Sequence, residues 1–252
     1  MFFLRTSIVA ALAAFSFAWT AASADQAKPI RYLVYNFSIG LTSDLTMHSS
    51  GIDNGMNGSG AGVGGSGISD MKTNGRDSGT INVDVMGVQP DDGLIVSISE
   101  AGKEGRSAEP ATCVVYGTTY YICESEKKVN TEELELLRLL GRNFGRTKPL
   151  DANKHWQYTQ TSPQGTEVTD YTVKGSSGNT MSLEVARVFK LTGGYTAATN
   201  GKITYDSAAT LPKAVSVDTI SRTEQGMGTS NRSEIQIDLN LASDSLASAG
   251  SK

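Results

Sequence analysis

The chain has 252 residues, with 22 Lys and Arg against 26 Asp and Glu, and its formal net charge is −4. This acidic balance argues against nucleic acid or an anionic membrane as a partner, because both are held by basic surfaces. Aromatic residues make up only 7% of the chain, while 27 residues are glycine. That composition is typical of exposed β-structure and disfavours a large aromatic-lined pocket.

The first 24 residues are predicted to be a secretory signal peptide. Arg5 precedes an apolar run that starts at Ile8, and the run ends in Ala22-Ser23-Ala24, which has the small residues of a signal peptidase site. No later segment is apolar enough to span a bilayer. We therefore expect an exported protein in the periplasm or outside the cell, with no integral membrane segment after cleavage.

The remaining residues are predicted to form one β-rich domain over 25–242 and a disordered tail over 243–252. Eight of the seventeen residues in 51–67 are glycine, and their backbone freedom predicts a mobile loop. This loop lacks the Gly-Lys-Ser/Thr ending of a phosphate-binding loop and the ligand spacing of a calcium loop. Similar strand patterns suggest a pseudo-repeat of 30–125 and 154–241.

Strand patterns fill the first half of the domain. In residues 30–41 the apolar side chains share one parity, as in a strand with one buried face. We interpret the weaker pattern at 41–49 as a separate strand that pairs with it. A Pro-Asp-Asp-Gly turn at 90–93 separates two further alternating segments, at 80–88 and 94–99, and predicts a hairpin.

A third hairpin is predicted around Thr118, because folding the chain there places Cys113 opposite Cys123. In an exported protein with two cysteines, a structural disulfide is the expected outcome. Redox dithiols are usually separated by only two residues, so a catalytic pair is disfavoured. Val114 and Ile122 lie on one face, and the other face is also apolar, so we expect both faces to be covered.

The only helix pattern lies at about 131–140, after this hairpin. Asn130 can cap it with Glu133 reaching back, and Gly141 can end it in a left-handed conformation. Its apolar stripe is expected to dock on the sheet and to form the wall of any ligand site. The candidate ligand-facing residues are Leu136, Leu137 and Leu140.

No motif in the chain indicates catalysis. The histidines are His48 and His155, and there is no HExxH, CxxC or Gly-x-Ser-x-Gly pattern. The acidic residues form no recognisable acid/base pair. We therefore nominate no catalytic, cofactor-binding or metal-binding residue and no cofactor, and an enzyme is the less favoured interpretation.

The fold class that follows is mainly β: an antiparallel curved sheet, partly open barrel or sandwich of about ten to twelve strands with one central helix. In outline the curved sheet is similar to the half-barrels of periplasmic lipoprotein carriers, although the helices that open those proteins are missing here. The favoured function is non-enzymatic binding of an apolar or amphipathic, lipid-like ligand between sheet and helix. A module that binds an envelope or surface protein is the first alternative, and a hydrolase with a dispersed triad is the second.

Overall fold

The computed structural model describes nine ranges of the chain. The predicted signal peptide (1–24) and the Gly-rich loop (51–67) lie outside the described residues, as does the end of the predicted tail (247–252). The described ranges are 28–48, 68–103, 107–117, 121–124, 129–144, 154–163, 165–191, 195–225 and 229–246.

The described residues form eleven strands and one α-helix. The helix, α1 (Thr131–Leu137), lies between the fifth and sixth strands in the chain. The strands are β1 (Arg31–His48), β2 (Ile68–Val88), β3 (Leu94–Gly102), β4 (Ser107–Val115), β5 (Tyr121–Cys123), β6 (His155–Ser162), β7 (Gly165–Ser177), β8 (Thr180–Leu191), β9 (Tyr195–Asp206), β10 (Leu211–Gln225) and β11 (Thr229–Asp244).

All eleven strands belong to one open antiparallel sheet in the order β5-β4-β3-β2-β1-β11-β10-β9-β8-β7-β6. The chain runs as a meander through β1–β5 and again through β6–β11. The pairing of β1 with β11 joins the two meanders at the centre. The structure confirms the predicted fold class, and of the three predicted architectures it shows the curved open sheet with a single central helix.

The core lies on one face of this sheet, which we call the concave face. Tyr35, Ile98, Leu183 and Leu239 are completely buried, and they alternate with outward-facing residues along their strands. Side chains of α1 and of the turn after it belong to the same buried cluster. Because burial of one such side chain contributes roughly 1.5–3 kcal/mol, this contact holds a helix of two turns that would not form alone.

The prediction of a separate strand at 41–49 was wrong. β1 is one strand of 18 residues that pairs with β2 along its whole length and with β11 from Leu33 to Met47. Leu41 and Leu45 keep the same parity as Phe37, and they lie opposite Ile235 and Asn231 of β11. The chain has no turn-forming pair at this point, so the alternation continues through it.

The predicted cysteine hairpin is present. Cys113 lies opposite Cys123 in the β4–β5 ladder, and the two form a disulfide. The expectation that both faces would be covered was wrong, because Ile122 is 56% exposed on the outer face. Val115, on the concave face, is buried. The sheet has a single layer here, so only one of its faces can meet the core.

The helix begins where its sequence predicts, but it ends at Leu137, short of the predicted end at about residue 140. The backbone N–H of Asn130 donates to Glu133 Oε2 at 2.8 Å, which is half of a capping box. After two turns the chain reverses at Gly141, whose φ of +69° is left-handed. A Cβ atom at this position would lie 3.0 Å from Leu94 Cδ1. The unexpected feature is that the acidic residues of α1, including Glu135, are buried.

An ion pair joins the start of β1 to the end of β11, the two central strands of the sheet. β11 continues to Asp244, two residues beyond the predicted end of the domain. Arg31 Nη2 contacts Asp244 Oδ2 at 2.7 Å, and both side chains are mostly buried. The disordered tail predicted for 243–252 therefore cannot begin before this ion pair.

Candidate functional site

A cleft of about 430 Å³ opens between the helix and the sheet, and we call it the helix–sheet cleft. Its helical side is formed by α1 and the turn that follows. Its other side is formed by the concave face of the second meander. The walls include Glu135, Arg138 and Arg142 on the helical side and Thr169, Arg187 and Thr199 on the sheet side.

One cross-strand row marks the floor of the cleft. Thr169, Arg187, Thr199 and Thr219 lie directly opposite one another on β7, β8, β9 and β10. The first three are buried. We call these four residues the polar row. Below it, the buried inward residues of the same strands belong to the hydrophobic core cluster, as Val185, Ile203 and Val217 do, so the row is the boundary between core and cleft.

Two arginines and two glutamates form a closed charge ring around this boundary. Arg187 makes a bidentate contact with Glu135, at 2.6 and 2.9 Å. Arg138 donates to Glu135 at 2.8 Å and to Glu167 at 3.0 Å. Arg187 Nε lies 3.7 Å from Glu167 Oε1, which closes the ring. The ring therefore ties the helix to β7 and β8.

The central pair of the ring, Glu135 and Arg187, is held in its charged form. Burial raises the pKa of Glu135, but Arg187 and Arg138 together lower it by more than burial raises it. The resulting pKa is about 2. Burial lowers the pKa of Arg187, but the contact with Glu135 outweighs this and raises it overall. Each partner favours the charged form of the other, as expected for a buried pair with good geometry.

Arg142 extends this polar wall over an aromatic patch. Its Nε donates to the carbonyl oxygen of Arg138 at 2.7 Å. Its guanidinium carbon lies 4.6 Å from the ring centroid of Tyr158 and 6.0 Å from that of Tyr171, which is within range for a cation–π contact. Burial raises the pKa of Tyr158, and Arg142 opposes this shift. These contacts therefore hold the Arg142 side chain at the side of the cleft.

Hydroxyl groups supply the neutral polar part of the cleft. Thr199 Oγ1 and Thr219 Oγ1 lie 2.8 Å apart across β9 and β10. Thr169 Oγ1 donates to Glu167 Oε1 at 3.3 Å. The Gln160 amide and the Ser162 hydroxyl, on the edge strand β6, line the same space. Each hydroxyl has one donor and two acceptor positions, so this lining can exchange hydrogen bonds in both directions.

Aromatic and apolar side chains complete the rim. Phe189 and Tyr195 pack edge to face with ring centroids 6.5 Å apart. Tyr121, from the short edge strand β5, lines the cleft together with Gln160 from the opposite edge strand β6. The two edges of the sheet therefore both border this site. Polar groups at the base and rings at the rim suit a ligand with a polar and an apolar part.

The predicted leucine wall has a different position from the cleft lining just described. Leu136 and Leu137 are 0% and 1% exposed and belong to the core cluster. Leu140 is also buried, but it borders a second, apolar cavity of about 170 Å³ near Leu33 and Leu211. A ligand-facing role for the three leucines remains a prediction.

Sequence reasoning missed the charge ring, although β8 carries a signal for it. Arg187 occupies an inward position in the apolar series Leu183, Val185, Phe189, and a charge at such a position implies a buried partner. That partner, Glu135, lies 52 residues away. Its identity depends on where the helix docks, which no local pattern encodes.

The other sequence features contribute less. His155 Nε2 lies 2.8 Å from Asp170 Oδ1, and Gln157 donates to the same oxygen, with all three outside the cleft lining. Within the described part of the chain, no group of three or more His, Cys, Asp or Glu side chains is placed to hold a metal ion. None of the helices in the described ranges has the length and apolarity needed to cross a membrane.

Comparison with known proteins gives little help. No protein-family model and no curated protein matches the chain. Among solved structures, the chain is similar to lipovitellin, in a structure determined to describe lipid–protein interactions, with 10% sequence identity and a TM-score of 0.46. The match covers 86% of this chain but only 26% of the lipovitellin chain.

Proposed function

We propose that this protein is exported and binds an amphipathic small molecule in the helix–sheet cleft. The observation that supports the proposal is the lining of the cleft, which combines charged residues and hydroxyls with the aromatic residues Phe189 and Tyr195. A volume of about 430 Å³ is within the usual range of roughly 300–1,000 Å³ for small-molecule sites.

Binding without reaction is favoured by the state of the cleft's carboxylates. Glu135 and Glu167 are both paired with arginines. The pKa of Glu135, which Arg187 and Arg138 lower to about 2 against the effect of burial, is far from the value of a general acid or base near neutral pH. These groups are suited to fixing the site rather than to transferring protons.

The test is a pair of adjacent alanines on β9. Ala197 lines the cleft, whereas Ala198 is exposed on the opposite face. We expect the purified protein to bind the neutral dye N-phenyl-1-naphthylamine at one saturable site. Ala197→Trp fills the cleft and should abolish binding, while Ala198→Trp should leave it unchanged. Absence of saturable binding, or equal binding by both variants, would contradict the proposal.

A specific observation supports the protein-interaction alternative. Among the described strands, the edge strand β6 pairs only with β7, and its sequence HWQYTQTS contains none of the lysines or prolines that usually protect sheet edges. An extended segment of an envelope protein could pair with this edge. Thr159→Pro should then prevent capture of that partner, with Thr172→Val, on the paired strand β7, as a control.

A further inference from the structure

We infer that the polar end of the ligand is a neutral polyhydroxylated group such as a sugar, rather than a carboxylate, phosphate or amine. This inference rests on the proposed function, because it concerns the same cleft. It deepens that function by naming the chemistry that the cleft recognises. The observation that carries it is how the charges and hydroxyls of the lining are already used.

The charge ring disfavours the binding of an ionic headgroup, because its charges are already paired with one another. Glu135 contacts Arg138 and Arg187, and Glu167 contacts the same two arginines. An anionic headgroup that bound either arginine would displace a glutamate from a pairing that compensates its buried charge. Loss of such a partner is costly. A cationic headgroup would disturb the ring in the opposite way, so both ionic classes are disfavoured.

Arg142 is engaged in the same wall. Its Nε is hydrogen-bonded to a main-chain carbonyl, and its guanidinium lies over the Tyr158 ring. An anion that pulled it into the cleft would break both contacts. The arginines of the cleft therefore serve its architecture.

The neutral lining is suited to hydroxyl groups. The contact between Thr199 and Thr219 uses one donor and one acceptor, which leaves one O–H donor and further lone pairs on the two side chains. Gln160 adds an amide with both a donor and an acceptor. The Ser162 hydroxyl donates to the Gly165 carbonyl oxygen at 3.3 Å, so it adds acceptor positions only. A sugar ring presents hydroxyls that donate and accept in the same way, whereas an ionised carboxylate or a dianionic phosphate only accepts.

The aromatic residues at the rim of the cleft suit the C–H groups of a sugar. Phe189, Tyr195 and Tyr121 border the cleft, and the face of an aromatic ring carries the negative part of its quadrupole. The C–H groups on the flat side of a sugar ring, or those of an alkyl chain attached to it, pack favourably against such faces. A glycoside with an apolar aglycone or tail satisfies both the base and the rim.

The experiment compares headgroups on a constant tail. Decyl β-glucoside, decanoate, decyl phosphate and decylamine are titrated, each below its micelle concentration, against the bound N-phenyl-1-naphthylamine dye. We expect the glucoside to displace the dye at concentrations about tenfold lower than any ionic amphiphile, a ratio equivalent to one or two net hydrogen bonds. Isothermal titration calorimetry with the glucoside alone provides an independent affinity.

A double variant tests the hydroxyls directly. Thr199→Val/Thr219→Val removes both hydroxyls with little change of shape, and it should reduce glucoside affinity about tenfold while leaving decanoate affinity unchanged. Thr172→Val, outside the cleft lining, is the matched control and should behave as wild type. If the double variant does not fold, the headgroup series on the wild-type protein still decides the question.

The outcomes separate the two proposals. If the dye and all four amphiphiles fail to bind saturably, the proposed amphiphile-binding function is wrong. If they bind but an ionic headgroup equals or exceeds the glucoside, or if the double variant binds the glucoside normally, the function survives and the sugar inference is overturned.

Discussion

The two ends of β8, β9 and β10 have the same backbone pairing but opposite chemistry on their concave face. Away from the cleft, at what we call the closed end of the sheet, this face carries Leu183, Ile203 and Val215, which are all buried in the core. Toward the cleft, the same faces of the same strands carry Arg187 and Thr199. The alternation of inward and outward residues is unbroken across the change. A period of two therefore shows which face is inward, while the type of residue shows what that face meets.

The largest effect is expected from breaking the charge ring between these two ends. Arg187→Leu would leave Glu135 buried with one of its arginines lost, so we expect the free energy of unfolding to fall by about 3–5 kcal/mol. Urea unfolding at neutral pH measures the change. Arg187→Leu/Glu135→Leu should recover most of the loss, because an apolar pair carries no unpaired charge.

The surface pair Lys174–Glu184 is the control for this prediction. Its atoms approach to 2.8 Å, but both side chains are about half exposed, so Lys174→Ala should cost less than about 1 kcal/mol. A comparable loss from both single variants would show that the ring is no more than a surface ion pair in energetic terms.

A slightly smaller loss of stability is expected from truncating a core side chain at the closed end. Leu239 is completely buried, and Leu239→Ala should reduce the free energy of unfolding by about 2–5 kcal/mol through lost burial and a residual cavity. Thr219→Ala, beside the cleft, should cost about 1 kcal/mol or less, since water can enter the space. Equal losses in urea unfolding would contradict the division of the concave face into core and cleft.

Acid should weaken the ring selectively. The pKa of Glu135 lies below its ordinary value of 4.5, at about 2, because Arg187 and Arg138 outweigh burial. Its stabilising contribution is therefore complete above pH 4.5 and is lost as the pH falls toward 2. We expect a loss of about 3 kcal/mol over this range, measured by urea unfolding at successive pH values.

The variant Glu135→Gln is the reference for the acid series. It lacks the titrating carboxyl and should show a shallower dependence than wild type. Asp244, whose pKa is lowered mainly by hydrogen bonds from Arg31, contributes a similar acid loss to both proteins and cancels in the comparison. Parallel curves for the two proteins would mean that the ring does not depend on the charge of Glu135.

The smallest effect on stability is expected on the cleft side of the boundary. In Thr199→Val/Thr219→Val both partners of the 2.8 Å contact are replaced by apolar residues of similar shape, so the free energy of unfolding should change by no more than about 1 kcal/mol. Thermal and urea unfolding measure it. A loss beyond about 2 kcal/mol would show that these hydroxyls belong to the fold rather than to a binding surface.

Local signals in the sequence predicted the parts of the fold that form over short distances. The opposition of Cys113 and Cys123 follows from a hairpin of eleven residues, and the reach of Glu133 back to Asn130 follows from one helical turn. The prediction failed where a local signal was absent. No turn-forming pair interrupts β1, and its weakening pattern, which predicts a second strand, belongs to the same strand.

The candidate site was not predictable to the same degree. Leu136 and Leu137 are predicted at a ligand wall because they lie on the apolar stripe of the helix, and the same stripe places them in the core cluster. The cleft is instead lined by Glu135 and Arg138 of the same segment. Which side of a short helix meets the core and which meets a cavity depends on the surface that it docks against.

The sequence by itself determined the mainly β class, the inward face of most strands, the disulfide register and the start of the helix, because each follows from contacts between residues close in the chain. Only the tertiary structure decided that β1 pairs with β11, that Glu135 meets Arg187, and that Thr199 and Thr219 share one row. These contacts join distant parts of the chain. They form only when all the strands have paired in register and the helix has docked on the sheet.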